Sequence, residues 1–283
     1  MSLIKTIDKL KNEIRNIQNG KILNIGFVPT MGYLHEGHLS LIKKAREDND
    51  LVVVSIFVNP TQFGKNEDLD SYPKDIDRDF KLAVDSGADI VFNPEVEEIY
   101  TKNSCTFVNV EGDLTKKLCG LSRPTHFKGV TTIVAKLFNI VRPKNAYFGE
   151  KDAQQVAIIE KMVEDLNFDI NIISCPLVRE DDGLALSSRN VYLSKEEREQ
   201  ALILSESLFK AKELYLNGEK DAKKLKEFIE NKINSKNLAR IDYVEILDAK
   251  TLEEIDVIKT KTIIALAVKF GKTRLIDNIY LEV

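Results

Sequence analysis

The chain has 283 residues, of which 41 are basic and 45 are acidic, and its formal net charge is −4. A chain without an excess of basic side chains is poorly suited to the phosphate backbone of nucleic acid, so nucleic acid is not expected as a partner. The longest strongly apolar run, residues 51–58, is far too short to cross a lipid bilayer, and a membrane is not expected as a partner either.

The N-terminal residues 1–11 lack the long apolar centre of a secretory signal. The three cysteines, Cys105, Cys119 and Cys175, are widely separated and odd in number, which fits neither a disulfide framework nor a metal-binding knuckle. Both observations favour a protein of the reducing cytoplasm.

In the first part of the chain, apolar runs alternate with amphipathic stretches. The predicted elements are a helix over 3–18, a strand over 22–28, a helix over 35–46, a strand over 51–58, a helix over 74–86, strands over 89–92 and 106–110, a helix over 130–141, a strand over 145–148, a helix over 153–166 and a strand over 169–173. Apolar strands between helices predict an α/β fold with a doubly wound, parallel, Rossmann-like sheet.

The pattern changes after residue 176. Residues 177–194 are typical of a polar loop, and helices over 195–216 and 221–233 precede strands over 240–247, 262–268 and 274–281. Helices followed by strands predict a second, smaller α+β domain. We therefore divide the chain into a Rossmann-like domain over 1–177 and a smaller C-terminal α+β domain over 178–283.

The most informative segment joins the predicted strand over 22–28 to the helix that follows it. It reads Pro29-Thr30-Met31-Gly32-Tyr33-Leu34-His35-Glu36-Gly37-His38 and holds two of the three histidines. A glycine-bearing turn that enters a helix presents backbone N–H groups and the positive end of the helix dipole, which attract phosphate. Imidazoles three residues apart share a helix face and can donate to one phosphate group. The alternative is an ordinary turn with a surface histidine pair.

Polar residues also follow three other predicted strands. The segments are Asn59-Pro60-Thr61-Gln62-Phe63-Gly64, then Gly149-Glu150-Lys151-Asp152-Ala153-Gln154-Gln155, then Pro176-Leu177-Val178-Arg179-Glu180 with Leu186-Ser187-Ser188-Arg189-Asn190. Taken singly, each segment could hold ordinary turn residues, solvated charges or helix caps. Because ligands of a doubly wound sheet bind beyond the carboxyl ends of its strands, their joint placement favours one nucleotide site.

Four segments in this order resemble one enzyme family. They are the His-x-Gly-His signature within residues 29–38, Phe57-Val58-Asn59-Pro60-Thr61-Gln62-Phe63, Phe148-Gly149-Glu150-Lys151-Asp152, and Leu186-Ser187-Ser188-Arg189-Asn190. The chain is similar to the pantothenate synthetases, or pantoate–β-alanine ligases, of the His-x-Gly-His nucleotidylyltransferase superfamily. The resemblance spans nearly the whole chain and is dense from residue 22 to residue 194.

The resemblance implies the two-step reaction of that family. The carboxylate of pantoate attacks the α-phosphorus of ATP, pyrophosphate leaves, and pantoyl adenylate stays bound. The amine of β-alanine then attacks the acyl carbon, which gives pantothenate and AMP. The resemblance also implies Mg²⁺ as a cofactor, a domain 1–177 that binds nucleotide and pantoate, and a homodimer.

The resemblance further assigns residues to this chemistry. The implied catalytic residues are His38, His35, Lys151 and Arg189, which neutralise the phosphates as pyrophosphate leaves. Gln62 and Gln155 are the implied pantoate-binding residues, with Gln62 also binding β-alanine. Asp152 is the implied contact of magnesium. The implied ATP-binding residues are Met31, Gly32, Tyr33, Leu34, His35, Glu36, Gly37, His38, Gly149, Glu150, Lys151, Asp152, Val178, Leu186, Ser187, Ser188 and Arg189.

The sequence departs from the family pattern at two positions. Thr125 stands where the family usually has glycine, which puts the backbone geometry of the loop before the helix over 130–141 in question. Leu186 stands where many relatives have methionine, and either side chain forms an apolar wall. The nearby His126 is interpreted as structural or loop-positioning, and not as catalytic.

Two other functions fit part of the pattern. A related nucleotidylyltransferase with another acceptor would share His35, His38 and Arg189 but would not need Gln62 and Gln155. A non-catalytic nucleotide-binding module would bind ATP without exchanging pyrophosphate in the presence of any acid.

Overall fold

The computed structural model describes residues 1–64 and 67–283. These residues form two compact units. The first unit comprises Met1–Glu150 and Gln154–Pro176, and the second comprises Lys151–Ala153 and Leu177–Val283.

The first unit is built on a parallel sheet, which in the described residues has six strands in the order β1-β4-β3-β2-β5-β6. The strands are β1 (Ser2–Ile4), β2 (Ile25–Thr30), β3 (Leu51–Ile56), β4 (Ile90–Phe92), β5 (Asn145–Gly149) and β6 (Asn171–Cys175). The chain adds strands outward from β2 to β4 and then returns to place β5 on the other side of β2. This reversal between β2 and β5 is the point at which doubly wound sheets bind ligands.

Helices cover both faces of this sheet. The helices in this part of the chain are α1 (Ile7–Gln18), α2 (Glu36–Asp48), α3 (Ile76–Asp85), α4 (Val96–Ile99), α5 (Cys119–Ser122), α6 (His126–Val141) and α7 (Ala153–Asp165). Phe27 of β2 packs with Leu10 of α1 and Phe138 of α6, whereas the next residue, Val28, packs with Ile42 of α2 in a separate core. Successive side chains of a strand point to opposite faces, so a fully apolar strand needs cover on both. The predicted doubly wound α/β fold is confirmed.

Several element boundaries differ from the predictions. Ser2–Ile4 is a strand paired in parallel with Ile90–Phe92, and the helix predicted over 3–18 begins only at Ile7. The strand predicted over 22–28 begins at Ile25, and the Ile22 side chain is 99% exposed. The helix predicted over 130–141 already begins at His126. Apolar spacing alone was the basis of these predictions, and it does not distinguish a short paired strand from the first turn of a helix.

Residues 106–110, which the structure describes, do not form the strand that was predicted for them. The backbone of Val108 instead bonds to side chains of α6: its N–H donates to Thr132 Oγ1 at 3.0 Å, and its carbonyl accepts from the Thr131 hydroxyl at 2.7 Å. Hydroxyl groups thus take the place of a neighbouring strand. This interaction could not be predicted from the apolar alternation of the segment.

The second unit is an α+β arrangement, as predicted. Its helices are α8 (Lys195–Ala201), α9 (Ile203–Leu216) and α10 (Ala222–Asn234), so the single helix predicted over 195–216 is two helices. Its strands are β7 (Ala239–Asp248), β8 (Thr262–Phe270) and β9 (Thr273–Leu281), which form an antiparallel sheet in the order β7-β8-β9. The central strand β8 is buried at nearly every residue and packs against α9 and α10 in one hydrophobic core.

A buried ion pair links the polar loop of the second unit to β9. Nη1 of Arg179 lies 2.7 Å from Oδ2 of Asp277, and Nη2 lies 2.9 Å from Oδ1. The Asp277 side chain is only 1% exposed. Burial raises the pKa of Asp277, and the Arg179 guanidinium opposes that rise.

Replacing Arg179 with methionine should destabilise the second unit, because it leaves the buried Asp277 carboxylate without its cation. We expect the free energy of unfolding, measured with urea, to fall by about 3 to 5 kcal/mol. Arg274→Met is the matched control, because Arg274 pairs with Asp242 at a more exposed position where an ion pair contributes about 1 kcal/mol or less. Equal losses in both variants would show that burial of the Asp277 carboxylate does not set the cost.

Within the described ranges 1–64 and 67–283, no helix is long and apolar enough to span a bilayer. Of the cysteines, Cys105 is exposed and Cys175 is buried. Burial raises the pKa of the Cys175 thiol to about 11. A thiol with so high a pKa stays protonated near neutral pH and is a poor nucleophile.

Candidate active site

The turn of residues 31–34 connects β2 to α2 with an unusual backbone. Gly32 has φ +87° and Tyr33 has φ +51°, so two successive residues are left-handed, and His35 returns to extended geometry before the helix begins. A Cβ atom on Gly32 would lie 2.9 Å from Cγ2 of Ile56 and 3.0 Å from Oδ2 of Asp79. Glycine is therefore required here by its φ angle and by packing within the protein.

The carboxylate of Asp79 holds this 31–34 turn from the side. Its Oδ2 accepts from the Tyr33 N–H at 2.6 Å and its Oδ1 from the Leu34 N–H at 2.7 Å. Asp79 lies in the first turn of α3 and its side chain is 1% exposed. Burial raises the pKa of Asp79, and the two backbone N–H groups and Arg78 oppose the rise.

The neighbouring Arg78 contacts the same turn. Its Nη2 donates to the Leu34 carbonyl at 2.9 Å, and its guanidinium lies 5.1 Å from the centroid of the Tyr33 ring. Asp75 caps the helix that carries both residues by accepting from the Arg78 N–H at 3.1 Å. No role for Asp79 was predicted from the sequence, although its position three residues after Ile76 and four before Ala83 puts it on the inward face of a predicted amphipathic helix.

The N–H groups of this turn donate to acceptors within the protein. The Gly32 N–H donates to Thr30 Oγ1 at 3.2 Å, those of Tyr33 and Leu34 donate to Asp79, and that of His35 donates to Nδ1 of His38 at 3.4 Å. Four successive N–H groups thus have acceptors within the protein. In this structure the protein's own acceptors take these N–H groups, and the predicted contact of this turn with ATP stays a prediction.

The two histidines lie together where the spacing predicted. Their ring centroids are 4.0 Å apart with an angle of 36° between the ring planes, at the start of α2. Because Nδ1 of His38 accepts a backbone hydrogen bond, the neutral ring carries its proton on Nε2. Both side chains are half-buried. A donor of this kind at a helix N-terminus suits an anionic ligand.

Gln62 lies beside this turn. It ends a short 3₁₀ turn, Pro60–Gln62, that follows β3, and its side chain is buried. Nε2 of Gln62 donates to the sulfur of Met31 at 3.1 Å, and Oε1 accepts from Nδ2 of Asn59 at 3.1 Å. The structure thus brings together the loops after β2 and β3. Asn59, which is 1% exposed, orients the amide and was not among the predicted site residues.

The backbone of Gln62 is held by Arg123, which lies just before α6, and by His126, the first residue of α6. Its carbonyl accepts from Nδ1 of His126 at 2.9 Å and from Nη2 of Arg123 at 3.3 Å. Arg123 also pairs with Glu67, where burial favours a higher pKa for the carboxyl but the guanidinium outweighs it and lowers that pKa. Thr125 is right-handed, with φ −97°, so this loop does not need the glycine that the family usually has there. His126 has the loop-positioning geometry that was inferred for it.

Gly149 and Gln155 flank the start of α7. A Cβ atom on Gly149 would have no heavy atom within 4 Å among the described residues, so the space beside its Cα is open. Glu150 accepts from the Ser174 hydroxyl at 3.4 Å. Gln155 is half-buried, while the adjacent Gln154 is buried and bonds to backbone groups of Leu114, Lys117 and Cys119, in the segment that leads into α5.

The second unit holds the remaining predicted residues except Glu36 and Gly37, which begin α2 in the first unit. The carbonyl of Lys151 accepts from Nδ2 of Asn278 at 2.9 Å, and Asp152 is exposed. The Leu186 N–H donates to the Val178 carbonyl at 3.0 Å, which brings these two loop residues together.

A serine cap begins the short helix that carries Arg189. The Ser187 hydroxyl accepts from the Arg189 N–H at 3.3 Å, and the 3₁₀ helix Ser188–Tyr192 starts there. Ser188 is buried and Arg189 is half-buried. The cap fixes the backbone of Arg189 relative to both serines.

Comparison with known proteins decides the family. The family model described as pantoate-beta-alanine ligase matches residues 2–280. The chain belongs to the pantoate–β-alanine ligase family. The family predicted from the sequence is therefore confirmed, and so is the activity that was predicted from that family. The enzyme condenses pantoate with β-alanine in an ATP-dependent reaction through pantoyl adenylate, releasing AMP and pyrophosphate.

Individual relatives agree with this assignment. The pantothenate synthetase of Acetivibrio thermocellus is 61% identical over 284 residues, covering 100% of both chains. A crystal structure of pantothenate synthetase from Thermus thermophilus has a TM-score of 0.93 and 42% identity over 99% of each chain. A pantoate-beta-alanine ligase from Francisella tularensis, complexed with beta-gamma ATP and beta-alanine, has a TM-score of 0.80 and 38% identity over 99% of this chain and 97% of that one.

Proposed function

We propose that residues 31–38 hold the phosphates of ATP while Gln62 holds pantoate beside them. The observation that carries this assignment is the contact between Nε2 of Gln62 and the sulfur of Met31. It joins a residue implied to bind pantoate to the first residue of the turn that leads to His35 and His38. Adenylation needs the carboxylate and the α-phosphorus within reach of each other, because positioning supplies much of the rate of such a reaction.

In the first step, an oxygen of the pantoate carboxylate forms a bond to the α-phosphorus. The bond from that phosphorus to its bridging oxygen breaks, and the electron pair leaves with pyrophosphate. His35 and His38 donate to the oxygens that gain charge, and the first N–H groups of α2 add the positive end of the helix dipole. In the second step, the β-alanine amine attacks the acyl carbon, AMP leaves, and the amine loses a proton.

Further residues complete the proposed ATP site. Lys151 and Arg189 neutralise phosphate charge, and Ser187 and Ser188 donate to the β- and γ-phosphates. Leu186 forms an apolar wall. Backbone groups of Gly149 and Val178 contact the adenosine. The other proposed ATP contacts are Met31, Gly32, Tyr33, Leu34, Glu36, Gly37, Glu150 and Asp152.

Gln62 and Gln155 are proposed to bind pantoate, and Gln62 also β-alanine. The nucleophile is an anion whose charge must remain available for attack. A neutral amide orients a carboxylate and binds hydroxyl groups, and it leaves the negative charge of the carboxylate available. A bidentate arginine would neutralise that charge. The buried amide of Gln62 is already oriented by Asn59, which supports this role.

Magnesium is proposed as the cofactor, delivered with ATP. Among residues 1–64 and 67–283 there is no cluster of three or more His, Cys, Asp or Glu side chains that could hold a metal ion. Mg²⁺ commonly binds through substrate phosphates with one or two carboxylates, and the exposed Asp152 fits such a contact. When bound, the ion would offset negative charge on the phosphates.

At the level of the whole chain, we propose a homodimer in the cytoplasm. In the proposed domain organisation, residues 1–177 form the domain that binds nucleotide and pantoate, and residues 178–283 form the smaller α+β domain. Buried Cys175 suits a reducing compartment, since its thiol has no described disulfide partner.

Pantoate-dependent exchange of labelled pyrophosphate into ATP tests the proposed site. We expect exchange in the wild-type enzyme with pantoate and without β-alanine, and its loss when Gln62 and Gln155 are both replaced by alanine. With ¹⁸O in the pantoate carboxylate, label should appear in AMP once β-alanine is added. Full exchange in the double variant would contradict the assignment of the glutamines, and label confined to pyrophosphate or phosphate would contradict the attack at the α-phosphorus.

A further inference from the structure

The 31–34 turn of the proposed site has a backbone conformation that its own residues do not favour, since Gly32 and Tyr33 both have positive φ angles. Two consecutive left-handed residues are unfavourable for an L-amino acid such as Tyr33, and a loop of this kind persists only when its surroundings fix it. The residues that follow, His35 and His38, take their positions from this turn. Whatever fixes the turn therefore fixes the imidazoles.

Asp79 supplies that support from another helix. Its two carboxylate oxygens accept from two consecutive N–H groups, of Tyr33 and Leu34, at 2.6 and 2.7 Å. Bonds from N–H groups to an ionised carboxylate are short and strong, and the side chain is 1% exposed, so water does not compete for them. One of these oxygens, Oδ2, lies where a Cβ on Gly32 would crowd it, so Asp79 fills the space that glycine leaves.

We propose that Asp79 is a positioning residue for adenylation. Its carboxylate locks the 31–34 turn and thereby fixes the direction in which His35 and His38 present their imidazoles. Arg78 assists by donating to the Leu34 carbonyl on the other side of the same peptide segment. In this arrangement the protein's own anion occupies the N–H groups of residues 33 and 34, and the anionic substrate meets the imidazoles. The inference rests on the proposed role of the histidines.

The isosteric substitution Asp79→Asn tests this inference. An amide can offer only one acceptor oxygen, so its NH₂ group faces one of the two N–H groups and the turn loses one of its two bonds. A small displacement of a positioned group can reduce the rate of a reaction strongly, and we expect the rate of pantoate-dependent pyrophosphate exchange to fall by about 10- to 100-fold. The KM for pantoate should change by less than about threefold, because Gln62 is untouched.

Asp77→Asn is the matched control. Asp77 lies in the same helical turn of α3 but is exposed. This variant loses the same charge and should exchange pyrophosphate within about twofold of the wild-type rate. Circular dichroism and urea midpoints for both variants establish that each is folded at the assay temperature.

A double-variant cycle with His38→Ala separates positioning from a general structural role. If Asp79 acts through the histidines, adding Asp79→Asn to the His38→Ala variant should lower its rate of pyrophosphate exchange by less than about threefold. The full cost of about 10- to 100-fold in that background would overturn the inference, as would normal exchange by the single Asp79→Asn variant. Normal exchange by His38→Ala alone would instead overturn the proposed role of the histidines, so the two failures are distinguishable.

Discussion

Replacement of His38 by alanine is expected to lower the rate of pantoate-dependent pyrophosphate exchange by about 10²- to 10³-fold. Preorganised donors aimed at developing negative charge typically contribute this much to catalysis. The fold should remain intact, because His38 is half-buried and its hydrogen bond from the His35 N–H is long at 3.4 Å. Rapid-quench measurement of pantoyl adenylate in the absence of β-alanine isolates the affected step.

Two amide variants of His38 separate the functions of its two nitrogens. Asparagine can place an oxygen where Nδ1 accepts from the His35 N–H but has nothing at the Nε2 position. Glutamine can place an amide nitrogen near the Nε2 position but lacks the Nδ1 acceptor. We expect the adenylation rate of His38→Gln to exceed that of His38→Asn by at least about tenfold, because glutamine keeps a donor near the Nε2 position. The reverse order would mean that the ring acts through the backbone of the turn and does not donate to phosphate.

The second large effect is expected from Gln62→Glu, which adds a negative charge beside the bound pantoate. Two like charges about 4 Å apart repel by about 1 to 4 kcal/mol at effective dielectric constants between about 80 and 20. We therefore expect kcat/KM for pantoate to fall by about 10- to 10³-fold, mainly through KM, while KM for ATP changes little. The size of the side chain is unchanged, and its oxygen can still accept from Asn59.

Gln62→Leu is the control that removes the amide without adding charge. It should weaken pantoate binding less than Gln62→Glu does, and its effect should not depend on pH. In Gln62→Glu, the loss should shrink as the pH falls, because protonation of the introduced carboxylate removes the repulsion. A KM for pantoate within about threefold of the wild-type value in Gln62→Glu would exclude Gln62 from the pantoate site.

The sheet could be predicted because its central strands are almost entirely apolar and its helices are amphipathic. Phe27 and Val28 belong to separate cores on opposite faces of the sheet. Consecutive apolar residues in a strand predict that both of its faces are covered. The strand Ser2–Ile4 could not be predicted in the same way. Leu3 and Ile4 also fit the spacing of the following helix, and only pairing with Ile90–Phe92, a contact distant along the chain, decides between the two.

The candidate site was predictable where a functional group and its position occur in one segment. The spacing of His35 and His38 is local, and the structure places their rings 4.0 Å apart as that spacing implies. The partner of the 31–34 turn, Asp79, lies 45 residues beyond Leu34 along the chain. The pattern of α3 does contain a signal, because a carboxylate on the inward face of an amphipathic helix needs a partner. The sequence does not say which partner it has.

Asn59 and Gln154 illustrate the same limit. Both are buried amides that hold other loops in place, Asn59 through Gln62 and the Gly129 carbonyl, Gln154 through three backbone groups in the segment that leads into α5. In the sequence they are indistinguishable from ordinary turn or helix residues. Hydrogen-bond partners of this kind depend on the tertiary arrangement of the loops and are therefore found only in the structure.

The most direct test of the proposed site is a crystal structure of the enzyme with pantoate and a non-hydrolysable ATP analogue. We expect a phosphate oxygen within hydrogen-bonding distance of His35 or His38, and the pantoate carboxylate against the amide of Gln62. Phosphates bound away from both imidazoles, or pantoate bound away from Gln62, would contradict the proposed site.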